Sequence, residues 1–201
     1  MKIKDIYAHY AIPKNLQEHM LRVTRVGMLI TDNWNGQINR KLIVNAALVH
    51  DLANIVKFKV EEGTELALAK KEMIRKYGGD DHLATEKMLR ELKSGEEIIE
   101  LVQKKSFGNV IEVANGTNWP LKVLLYADMR VAPSGVTEME TRLKEAIARI
   151  DKYKESQLKE KLLESARVIE KQIQEKTYLD LKLIADDTAA TGWPELLNRD
   201  I

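Results

Sequence analysis

Cysteine is absent from the 201-residue chain. That excludes disulfides, a thiolate nucleophile and Cys-ligated zinc, so any metal site must draw on His, Asp, Glu and water. Long apolar runs are absent as well. None approaches the roughly 20 residues needed to span a bilayer, and Met1 to Ile12 lacks the apolar stretch of a signal peptide. The expectation is a soluble, cytoplasmic protein without a membrane partner. Neither sign of charge dominates: 32 Lys and Arg stand against 31 Asp and Glu, a formal net charge of +1. This balance argues against a polybasic membrane binder and against a long nucleic acid as partner, and leaves room for a small basic pocket. Gly (10) and Pro (4) are scarce. What is present is 44% hydrophobic and 31% charged, a globular composition. Leu, Lys, Glu, Ala and Ile dominate it, all residues at home in helices.

The pattern reads as all-α, with no alternating strand, internal repeat or low-complexity segment. A short helix fits Ile3 to Tyr10. The next spans about Lys14 to Asn33, striped by Leu16, Met20, Val23, Val26 and Ile30. The third runs from about Asn39 to Val56; its middle, Leu42 to Val49, is apolar nearly all round and should be buried. Helices follow at Glu65 to Tyr77, from Asp80 or Asp81 to Leu92, at Glu96 to Lys104 and at Gly108 to Asn115. Pro120 suits the start of one that continues to about Val131. Pro133-Ser134-Gly135 reads as a loop. Thr137 to about Lys176 is a long amphipathic stretch, with Met139, Leu143, Ile147 and Ile150 on one stripe. Trp193-Pro194 suggests that the tail docks. No linker is evident. The expectation is one domain over residues 1–201, with a core of about 14–150 and a helical extension of about 151–201.

Function enters where the periodicity is broken. His50 follows Ile43, Ala46 and Ala47 at the i−7, i−4 and i−3 positions, and Asp51 follows Val44, Ala47 and Leu48 at the same offsets. A buried carboxylate is too costly to leave unpaired. Asp128 repeats the pattern after Leu121, Leu124 and Leu125, and His19 lies on the face of Val23 and Val26. Taken singly, a histidine on an apolar face is more often a hydrogen-bonded core residue, and Asp128 could pair with Arg22, Arg25 or Arg130. Taken together, two imidazoles and two carboxylates suit a divalent ion with positions open to water and substrate.

The segments Glu18-His19-Met20-Leu21-Arg22-Val23, Ala46-Ala47-Leu48-Val49-His50-Asp51 and Leu125-Tyr126-Ala127-Asp128 resemble, in order, the signature of the HD superfamily of metal-dependent phosphohydrolases. The resemblance covers about Lys14 to Arg149. It implies an all-helical bundle and a metal centre on His19, His50, Asp51 and Asp128. It also implies hydrolysis of a phosphomonoester or phosphodiester of a small nucleotide or related metabolite. The ion would be Mn, Mg, Co, Ni or Fe. Some members that hydrolyse nucleoside monophosphates carry Glu three positions after the His-Asp pair, and signalling types often carry Lys; this chain has Asn54. An amide cannot act as a base. Dinuclear members supply further histidines before the final Asp, and here His82 alone lies in that interval. One tightly bound ion is expected, and a weak second one is left open.

Asp128 or Asp51 is expected to orient water as well as to ligate, and His82 to protonate the leaving oxygen or touch the phosphate, with a surface histidine at a helix N-terminus the competing reading. Candidate substrate contacts are Arg22, Asn54, Lys57 and Arg130, with a solvated surface cation the competing reading for Lys57 and Arg130. Two rival functions remain: a dinucleoside polyphosphate or guanosine alarmone hydrolase, and a binding or regulatory module that keeps the metal without turnover. The charged helix from Thr137 to Lys176 could also serve as a partner surface, and a homo-oligomer is left open.

Overall fold

The computed structural model describes residues 1–149 and 156–201. Among them, the chain forms α1 (Ile3–His9), α2 (Lys14–Asp32), α3 (Arg40–Val49), α4 (Glu65–Tyr77), α5 (Asp81–Glu91), α6 (Glu96–Lys104), α7 (Val110–Asn115) and α8 (Trp119–Met129). A two-stranded hairpin, β1 (Val131–Ala132) and β2 (Gly135–Val136), leads into α9 (Met139–Arg149) and α10 (Ser156–Gln174), and the short α11 (Asp186–Ala189) and α12 (Trp193–Leu197) follow. The architecture is all-α. The expected stripe position Ile150, and the continuity of the Thr137–Lys176 stretch across 150–155, lie outside the described residues.

Local chemistry sets most helix ends. The side chains of Asn39, Thr64, Asp80 and Asn118 each accept a hydrogen bond from a backbone N–H in the first turn of α3, α4, α5 and α8. Pro120 sits in the first turn of α8, where its missing N–H costs nothing. Gly78 stops α4 at φ +101°, a conformation closed to most side chains.

Nearly every residue of α3 from Ile43 to Val49 and of α8 from Leu121 to Met129 is buried. These two helices form the centre. α2 packs on both, α6 on α3, and α7 and α10 close the other flank. One apolar core runs from Ile3 and Tyr7 through Leu48, Leu124 and Ile169 to Leu196.

Two boundaries differ from the sequence reading. α3 stops at Val49, seven residues short of Val56. The ring Nδ1 of His50 turns back onto the Ala47 carbonyl (2.8 Å), Ala53 N donates to Thr85 Oγ1 (3.2 Å), and Asn54 N donates to the Asp51 carbonyl (3.0 Å). The main-chain donors of Ala53 and Asn54 thereby leave the helical ladder, and only Asn54–Lys57 resumes as a 3-10 turn. α8 stops at Met129 because Val131 pairs with Val136, and Ala132 with Gly135, across Pro133-Ser134. The expected loop is therefore the turn of a small hairpin. No helix among the described residues is long and apolar enough to cross a membrane.

Candidate metal centre

Four elements converge on one point. α2 supplies His19. The residue that closes α3 is His50, and Asp51 stands in the turn after it rather than on the helix as the sequence suggested. Asp128 is the next-to-last residue of α8. One ligand-type atom from each of His19, His50 and Asp128 lies within 4.8 Å of the others. His19 Nε2 is 3.1 Å and His50 Nε2 is 3.7 Å from Asp128 Oδ1. Asp51 joins them, its Oδ1 3.6 Å from His50 Nε2 and its Oδ2 3.8 Å from His19 Nε2.

His50 carries the strongest chemical signal. Its side chain is fully buried. Nδ1 is engaged by the Ala47 carbonyl, which makes it the N–H side of the ring and leaves a lone pair on Nε2. That Nε2 is buried without any hydrogen-bond partner. A buried, unpartnered nitrogen beside two carboxylates is costly unless something with positive charge fills the gap. Orientation of a ligating imidazole by a hydrogen bond from its other nitrogen is the usual support of a metal site. The donor set fits a divalent transition ion.

Lys105, just past the end of α6, enters the same site. Its Nζ lies 2.9 Å from Asp128 Oδ2 and 3.1 Å from Asp51 Oδ1, and the residue is 6% exposed. Burial alone would raise both carboxyl groups, but the ammonium outweighs it, and Asp51 and Asp128 fall below the usual carboxylate range with help from the two histidines. Burial would lower Lys105 in turn, and the two carboxylates hold it above its ordinary value. The triad is thus ionised as a unit.

Sequence reasoning missed Lys105, although the signal was present. It follows Ile98, Leu101 and Val102 at i−7, i−4 and i−3, the same offsets that singled out Asp128. Arg142 of α9 was missed too; it flanks the apolar stripe, and nothing in the local pattern marks it.

The centre opens into a cavity of about 1080 Å³. His19, Asp51, Lys105 and Asp128 line it, and so do Arg22, Asn54, Lys57, His82 and Arg142. Asn54 Nδ2 donates to Asp51 Oδ2 (2.9 Å) and so orients that carboxylate. Lys57 pairs with Asp81 at 2.6 Å, and the His82 ring stands 3.8 Å from the same carboxylate. Arg142 Nε donates to the Val131 carbonyl (3.0 Å), with its guanidinium over Phe107.

Arg22 reaches the cavity but is already engaged by the tail: Nε donates to Asp186 Oδ1 (2.9 Å), and the guanidinium lies 5.0 Å from the Trp193 ring centroid. The tail docks here, as the Trp-Pro pair suggested.

Arg130 corrects the sequence reading. It does not line the cavity. It is buried, and its guanidinium donates to the carbonyls of Thr137 (2.6 Å), Leu181 (2.7 Å) and Ile184 (2.9 Å) and to Tyr126 Oη (2.9 Å). Four of its five N–H donors are used, two of them to tie the tail to α8, and the group is turned away from the cavity lining.

A family model described as HD domain matches residues 16–156, the larger part of the chain. Comparison with curated proteins and with solved structures returned no match.

Proposed function

Since the chain belongs to the HD domain family, whose members are generally metal-dependent hydrolases, we propose that it hydrolyses a phosphate ester of a small nucleotide or related metabolite. The observation that carries this reading is the unpartnered, buried Nε2 of His50, 3.6 Å from Asp51 Oδ1 and 3.7 Å from Asp128 Oδ1, two carboxylates that line the cavity. His19, His50, Asp51 and Asp128 would hold the ion. Bound there, a divalent ion supplies Lewis acidity toward a phosphoryl oxygen and eases the ionisation of water.

The remaining work falls to the chain. Hydrolysis forms a bond from a water oxygen to phosphorus, breaks the ester P–O bond, and requires a proton on the departing oxygen. Little of this is covalent chemistry for the protein; most is positioning and charge stabilisation. Lys105, Arg142 and Lys57 line the cavity and place positive charge where a phosphate would rest. Asn54 holds Asp51 and cannot itself remove a proton. His82, which lines the cavity, would protonate the departing oxygen or contact the phosphate. The cavity is nucleotide-sized, slightly above the usual range for small-ligand sites.

The test is phosphate release across nucleotides and sugar phosphates, with Mn, Mg, Co and Ni each supplied, for the wild type and His50→Ala. Release that depends on the added metal and falls on the order of 10³-fold in the variant, about 4 kcal/mol of barrier, is expected. Release unchanged in His50→Ala would overturn the assignment. Metal binding without release on any substrate would favour a binding module.

A further inference from the structure

We propose that Lys105 is a tethered cation that holds this centre to a single metal ion, its ammonium standing where a second ion would bridge Asp51 and Asp128. The inference rests on the metal reading above and goes beyond it, because it fixes how many ions the site accepts and names the residue responsible.

The carboxylate oxygens are divided between two places. Asp128 turns Oδ1 toward the histidines, 3.1 Å from His19 Nε2, and gives Oδ2 to Lys105. Asp51 gives Oδ1 to Lys105 and receives the Asn54 amide on Oδ2. Separations of 3.1 Å and 3.7 Å from Asp128 Oδ1 to the two imidazole nitrogens are close to the ligand–ligand edges, about 3.0–3.4 Å, of an ion with bonds of about 2.1 Å. One ion therefore fits on the histidine side while Lys105 keeps its contact with Oδ2, and Asp51 would reach it through a second lone pair on an oxygen that already accepts a hydrogen bond. A second ion bridging Asp51 Oδ1 and Asp128 Oδ2 would have to take the place of the ammonium that lies 3.1 Å and 2.9 Å from them.

Charge points the same way. Two carboxylates and one ammonium leave the buried site at −1 before any metal enters. One divalent ion brings it to +1. A second would bring it to +3 in a place with little water to screen the repulsion. Lys105 cannot easily step aside: it is buried, and leaving would strand two carboxylates. No further histidine compensates, for among the described residues His82 stands 3.8 Å from Asp81 and His9 meets the Tyr10 ring edge-on.

The experiment is a manganese titration of the full chain, read by metal content after gel filtration and by electron paramagnetic resonance for spin-coupled pairs. Wild type should stop at about one Mn per chain, with no coupled signal at millimolar Mn. Lys105→Ala and Lys105→Gln should each rise to about two and show the coupled signal. Lys105→Gln keeps a neutral donor on a side chain one atom shorter, so it serves if the alanine variant does not fold. Two ions in wild type would overturn the proposal, and so would both variants remaining at one. No ion in wild type would overturn the metal reading itself and this inference with it, a result distinct from variants that bind one.

Discussion

Lys105 and Arg130 are both buried cations close to Asp128, the first in space and the second in sequence. Their partners differ in kind. Lys105 is held by two carboxylates that also face a pair of imidazoles and an open cavity. Arg130 is held by three main-chain carbonyls and a phenol, with no carboxylate directly on it among the described residues and no place in the cavity lining. A cation satisfied by neutral acceptors joins segments; a cation that shares its anions with unsatisfied ligand atoms belongs to chemistry. Burial alone does not separate the two.

The largest expected effect tests the joining role. Arg130→Ala removes several charge-assisted hydrogen bonds and frees their buried acceptors, at about 3 kcal/mol. For a chain of this size that corresponds to a midpoint about 6–12 °C lower. Limited proteolysis should cut first after Tyr178, while metal content per folded chain stays unchanged. A variant that keeps its midpoint but loses metal would put Arg130 back in the site.

Acid separates the two cations next. The ordinary value for Asp51 and Asp128 is 3.8, and both sit lower in the folded, metal-free chain. Their stabilisation is full above about that value and is lost as pH falls below it through the folded values. Arg130 touches no group that titrates there. Denaturant melts of metal-free protein between neutral pH and pH 3 should show stability falling at the acid end. In Lys105→Ala the slope should shrink or change sign, because burial then raises the carboxyls; in Arg130→Ala it should persist on a lower baseline. Identical slopes in all three would break the distinction.

The smallest effect concerns the third group on those carboxylates. Asn54→Ala removes one hydrogen bond to Asp51. Turnover should fall about tenfold or less, some 1.4 kcal/mol, against roughly 10²–10⁴-fold for losing an acid or base. A larger loss in steady-state kinetics, with metal retained, would give Asn54 a direct part in the reaction.

What the sequence disclosed follows from the same physics. α4 and α6 are legible to the residue, because Gly78-Gly79 and the polar segments around them punctuate the pattern. The break after Val49 is not, since Leu52, Ala53, Ile55 and Val56 continue an apolar run that a helix or a turn packed in the core carries equally well. The convergence of His19, His50, Asp51 and Asp128 was legible because each polar group interrupts an apolar face. The same rule applied to positive charge marks Lys105, and it also marks Arg130, after Val123, Tyr126 and Ala127. Which of the two is functional depends on partners from Thr137, Leu181 and Ile184, contacts between segments that no local pattern encodes.

The group that fixes the ring of His50 is a main-chain oxygen, that of Ala47. Point mutation cannot delete it. Where a supporting contact comes from a side chain, as between Asn54 and Asp51, one codon change removes it, and drift can erode it. At position 47 any residue small enough for its place in the core presents the same carbonyl. A saturation scan should therefore find position 47 limited by volume alone, and the orientation of His50 inherited with the backbone and not with the alphabet of side chains around it.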